Sequence, residues 1–99
     1  MPDENTSGYK EFKHSFNDPF ADIEIEKAFR FTRPKTPSVD RCQKQMMKSP
    51  AKALEGLCLD AVHPDDKAQI QEDFKVYPGL ASAFGNELLK AVGFGDLGN

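Results

Sequence analysis

Cysteine is scarce in this chain. Cys42 and Cys58 are the only two among 99 residues, too few for a disulfide framework, and they read as small buried thiols in a reducing cytoplasm. No apolar run approaches the ~18 residues that a membrane span needs. The opening stretch, MPDENTSGYKEF, lacks the basic and apolar regions of a signal peptide. A cytoplasmic location without membrane attachment is expected. Apolar residues are also few, at 38%, and mean hydropathy is −0.60. That predicts a small core, some exposed chain and one domain. Positive charge is not in excess: the net charge is −3, which argues against a general attraction to nucleic acid. No P-loop, GxSxG or GxGxxG occurs. Cys42, Cys58, His14 and His63 show no CxxC or HxxxH spacing that would close a zinc site. The expectation is no cofactor, no metal and no catalytic residue.

What is present is periodicity. Pro78 to Phe94, PGLASAFGNELLKAVGF, places Leu80, Phe84, Leu88, Ala91 and Val92 on one stripe of a helix. Gly93 stands where a left-handed cap ends such a helix, and Phe94 where the cap returns an apolar contact. Ahead of it, Ile23, Ile25, Phe29 and Phe31 share one parity across Ile23 to Arg33, the clearest strand. Lys27 interrupts that face and suggests a bulge or an edge position. Tyr9 to Phe16 is a weaker strand, with Lys10, Phe12, His14 and Phe16 on one face. Asn17 to Asp22, NDPFAD, is the turn between them. Thr36–Pro37, Ser49–Pro50 and His63–Pro64 then mark three helix starts, proline being suited to the first helical position. These open helices of about Pro37–Lys48, Pro50–Val62 and Pro64–Val76. The predicted fold is α+β: an N-terminal antiparallel β-hairpin followed by four short helices. It spans residues 9–94, after a disordered 1–8 and before a short free tail, 95–99.

Charge is unevenly spread. Lys27, Arg30, Arg33, Lys35, Arg41, Lys44 and Lys48 face a single acid, Asp40, within one stretch, whereas acids outnumber bases from Ala51 onward. Either the two halves attract each other or they serve different partners. Basic residues among Phe29 and Phe31 could follow a phosphate backbone while aromatics stack on bases. Those rings, however, share the strand's apolar face, which makes them core. Cys42 in the basic segment could be an activated thiol, but Val39 and Met46 share its face and turn it inward. Asp65 and Asp66 suit a helix N-terminus better than an acid–base pair. The second helix carries apolar residues on more than one side, and Leu88 and Leu89 lie side by side on the fourth. A surplus apolar face, open to a partner protein or to a second copy, is expected.

Taken together, FRFTRP at Phe29–Pro34, TPSVDRCQKQM after it, SPAKALEGLCLDAVHPDD and VYPGLASAFGNELLKAVGFG give a pattern across Tyr9–Phe94. Its most specific pieces are F-x-R-P, V-x-P-x-D and P-G-L-x-x-x-x-G-N-x-L-L-x-x-x-G. This resembles small tail assembly chaperone-like proteins of long-tailed bacteriophages and prophages. The resemblance implies a non-enzymatic protein, made in the bacterial host cell, that binds the long helical tape-measure protein during assembly. It implies no catalytic residues, and in such families a longer frameshifted form often exists. By the same analogy the candidate contacts are the apolar helix faces, through Leu54, Leu59, Phe84, Leu88 and Leu89, with Arg30 and Arg33 beside them. The alternatives are a nucleic-acid-binding accessory protein using the basic stretch 27–48, and a small interaction domain with another partner.

Overall fold

The computed structural model describes residues 8–95; the expected disordered start, apart from Gly8, and most of the expected free tail lie outside the described residues. Two strands, β1 (Tyr9–Asp18) and β2 (Ile23–Thr32), are followed by α1 (Thr36–Met46), α2 (Pro50–Ala61), α3 (Pro64–Val76) and α4 (Gly79–Ala91). The chain is therefore α+β, a hairpin ahead of four helices. β1 and β2 pair antiparallel from Tyr9 opposite Thr32 to Asp18 opposite Ile23.

One expectation for the hairpin is corrected, and the alternatives at Lys27 are resolved as an edge position without a bulge. The first strand runs further than the sequence suggests, because Asn17 and Asp18 remain paired and only residues 19–22 turn, while the second ends at Thr32, one residue short of Arg33. Asp18 makes this short turn work. Its Oδ1 accepts from the amides of Phe20 (3.0 Å) and Ala21 (3.3 Å), the local bond that favours Asp in turns. Asp22 takes a left-handed φ of 60°, which Asp tolerates better than most side chains. Lys27, in turn, makes no bulge. It stands in unbroken register opposite His14, and its ammonium reaches Asp73 Oδ1 on α3 at 3.2 Å.

The helix starts follow the prolines. Ser49 Oγ accepts from the Lys52 amide at 3.4 Å, and His63 Nδ1 accepts from the Asp65 amide at 3.1 Å. α1 differs: Thr36 lies inside the helix and Lys35 is its N-cap, with no side-chain bond. At the end of α4 the Phe94 amide bonds to Leu89 O and the Gly93 amide to Lys90 O, with Gly93 at φ 104°. This is the paired-bond left-handed cap, and Phe94 packs back onto the core as expected.

One core joins all six elements. Phe29 and Phe31 from the inner face of the sheet meet Phe84 of α4, with ring centroids 5.5 and 5.6 Å apart. Leu54, Leu57, Cys58 and Ala61 of α2, Ile70 and Phe74 of α3, and Leu80, Leu88 and Leu89 of α4 fill the rest. A two-stranded hairpin is marginal alone; here its aromatic face rests on α4 and α2.

Candidate functional site

The residues expected to form an open apolar face are occupied internally. Leu54, Phe84, Leu88 and Leu89 are all buried in the core, and Leu59 is half-buried against it. The side-by-side leucines of α4 are both used because α4 is enclosed by α2 on one side and by the sheet on the other. Helical periodicity shows that two faces are apolar but not that the chain covers both itself.

The basic stretch is also largely engaged. Arg30 makes a fork with Asp66: Nη2 to Oδ1 at 2.8 Å, Nε to Oδ2 at 3.1 Å, and its own amide to Oδ2 at 2.9 Å. Arg41 pairs with Asp60, and Lys27 with Asp73. Arg33 Nη1 donates to Ala91 O at 2.8 Å, placing a cation at the C-terminus of α4, where the helix dipole favours it. The basic and acidic halves thus meet within the chain. Arg41, Lys44, Gln45 and Lys48 line a shallow open cleft on α1.

The Arg30 guanidinium, with its amide, holds the Asp66 carboxyl below its ordinary pKa. A native carboxylate with a lowered pKa contributes stability above its unfolded value. That contribution disappears as pH falls through the unfolded value toward the native one. Stability is therefore expected to decline below about pH 4–5, and Asp66→Asn should flatten this part of a melting-temperature profile.

Both thiols are buried, and burial raises the pKa of each. The basic neighbours of Cys42 do not overcome this desolvation. Cys58 Sγ lies 3.7 Å from Ala81 O inside the core. Native protein is expected to react with iodoacetamide at pH 7 much more slowly than a free thiol, since the thiolate is the nucleophile. Denaturation should release both sites, as mass spectrometry would read directly. Among the described residues no cluster of three or more His, Cys, Asp or Glu could hold a metal, and no helix is long and apolar enough to cross a membrane.

The exposed apolar surface lies elsewhere. Phe20 is fully exposed at 101%, and Ile23 beside it is 52% exposed. Both sit at the hairpin tip. The tip is tied to the end of α3 by Tyr77, whose hydroxyl donates to Asp18 Oδ2 at 2.8 Å and whose ring meets Phe16 at 4.9 Å. This bond lowers the Asp18 pKa and raises that of Tyr77. Next to it a cleft of about 320 Å³ is lined by His14, Phe16, Val76, Tyr77, Pro78 and Leu80, and Val76 is 66% exposed. Sequence reasoning passed over Phe20 as a turn residue. The available signal was a large apolar side chain in NDPFAD with no periodic partner.

The family described as a domain of unknown function (DUF6848) matches residues 17–99, and the chain belongs to it. No curated protein matches the chain. Among solved structures, an uncharacterised protein, rbstp2171, from Bacillus stearothermophilus is similar: TM-score 0.71 and 22% identity, covering 88% of this chain and 84% of that one. At that identity the likeness shows the fold alone.

Proposed function

We infer that this is a non-enzymatic, protein-binding protein of the tail assembly chaperone kind, which holds a long helical tail protein during assembly in the bacterial host. The observation that carries this reading is the exposed apolar surface of Phe20 and Ile23 at the hairpin tip and of Val76 on the Tyr77 cleft. A tape-measure helix presents apolar stripes before assembly, and an apolar patch beside a charged surface suits reversible cover. The contact is thereby moved from the α2 and α4 faces to the hairpin tip. Nucleic-acid binding is the weaker reading, because Lys27, Arg30, Arg33 and Arg41 already serve Asp73, Asp66, Ala91 O and Asp60. What favours it is the cleft beside Lys44 and Lys48.

The test is affinity capture of tagged protein from its native lysate after prophage induction, with and without nuclease. Recovery of a very long, helix-rich protein that survives nuclease, and its loss with Phe20→Asp, supports the reading. Recovery of nucleic-acid-linked proteins alone, lost on nuclease treatment, overturns it in favour of the basic stretch.

A further inference from the structure

We propose that the outer edge of β1 pairs with β1 of a second copy of this chain, antiparallel and centred on His14, to make a continuous four-stranded sheet. This does not rest on the tail-assembly reading, and the two compete for the Tyr77 cleft, which Phe12 of the copy would occupy.

Which backbone groups are open follows from Arg30. Its amide donates to Asp66 Oδ2 at 2.9 Å, and its carbonyl accepts from the His63 amide at 2.8 Å. Both groups point away from β1. Alternate residues of a strand bond to alternate sides. The odd residues of β2 therefore bond to the even residues of β1, their register partners. Tyr9, Glu11, Lys13, Ser15 and Asn17 then direct their N–H and C=O groups outward from β1. Among the described residues no backbone hydrogen bond reaches them. The two edges of the sheet are thus unequal. β2 is capped at its C-terminal end by the bridge between Phe31 and Val62 and by the Arg30 contacts. β1 has neither a proline nor a bulge; of the devices that natural edge strands use against pairing it carries only charged side chains, Lys10, Glu11 and Lys13.

The sequence of β1, YKEFKHSFND, complements itself in one register. Centred on His14, Lys10 faces Asp18 of the copy and Phe12 faces Phe16, each twice by symmetry. These are non-hydrogen-bonded pairs, whose side chains approach closest. Centring on Lys13 would set that lysine against itself. Centring on Phe12 would set Lys10 against His14 and leave Phe16 unmatched. The ground beneath the edge agrees. Two clefts run between β1 and α4, one beside Phe12 and one beside Phe16, separated where the His14 ring meets Phe84 at 6.2 Å. In the proposed register Phe16 of the copy arrives over the first cleft and Phe12 over the second. Such an interface is isologous, as two-fold dimers require.

The test uses purified full chain and light scattering after size exclusion. The expected mass is twice the 11.0 kDa of the chain. Ser15→Pro removes an outward N–H without touching the bond network to β2, where edge proline is tolerated. It removes two intermolecular hydrogen bonds by symmetry, so dissociation should strengthen roughly tenfold to a hundredfold. His14→Cys should form a disulfide-linked dimer on oxidation, because non-hydrogen-bonded partners lie about 4.5 Å apart at Cα. Should Ser15→Pro fail to fold, amide exchange of the wild type decides. Glu11, Lys13, Ser15 and Asn17 should become protected as protein concentration rises. A wild type that stays monomeric with those amides unprotected at every concentration overturns the proposal, as does a dimer that Ser15→Pro leaves intact. A dimer without the His14→Cys link overturns the register.

Discussion

Phe84→Ala is expected to cost about 3–5 kcal/mol, the range for a large aromatic removed from a packed core. The side chain is 1% exposed. It is the point at which α4 meets Phe29, Phe31 and His14, so its removal leaves the inner face of the hairpin resting on a void. Protein domains are stable by only about 5–15 kcal/mol. The loss would bring this chain close to unfolding at ambient temperature. Urea denaturation followed by circular dichroism measures it. A wild-type midpoint would show that the sheet does not depend on α4.

Gly85→Val is expected to be the second large effect, roughly 1–3 kcal/mol destabilising, as for overpacked cores. A Cβ at Gly85 would lie 2.8 Å from Leu54 Cβ and 2.9 Å from Leu54 Cδ2. It would also come 3.3 Å from Leu54 Cα, so α2 itself must move, not merely a side-chain tip. This glycine lets α4 approach α2 closely. Gly56 on α2 is the control. Nothing lies within 4 Å of a Cβ there, and Gly56→Ala should stabilise by about 0.5–1 kcal/mol through helix propensity alone. Opposite shifts in melting temperature are the expected result. Equal shifts would mean that the α2–α4 contact is looser than described.

Most of the fold was legible because its signals are local. Parity set the strands, proline after Ser49 and His63 set the helix starts, and Gly93 set the end of α4. What misled was also local. Asn17 and Asp18 look like turn residues, but the turn needs only Asp18 to cap it and the ladder retains both. The site was less legible, because exposure is a property of the whole packing. Leu88 and Leu89 looked like one core position and one open position. Both are covered, since α4 lies between α2 and the sheet. Phe20 looked incidental, yet with Met47 it is among the large apolar residues left most open. The acids that engage Arg30 and Lys27, Asp66 and Asp73, lie 36 and 46 residues away, beyond the reach of any spacing rule.

The lysine in the middle of β2 has a consequence for how the hairpin selects one alignment. Its pairing with Asp73 is half-sheltered, with 26% and 10% of the two side chains exposed. Desolvation offsets much of the attraction in such a pair. Its value lies in exclusion. A slip of two residues between the strands would keep every apolar side chain on the inner face, so alternation cannot forbid it. But Lys27 fixes β2 to Asp73, while Asp18 fixes β1 to Tyr77, one helical turn further along the same segment. The end of α3 therefore acts as a ruler for the hairpin. Any shifted alignment takes the lysine from Asp73, leaving it Gln69 alone, with Oδ2 already unpartnered. A single strand pairing is selected by a helix that the hairpin precedes in the chain by more than thirty residues.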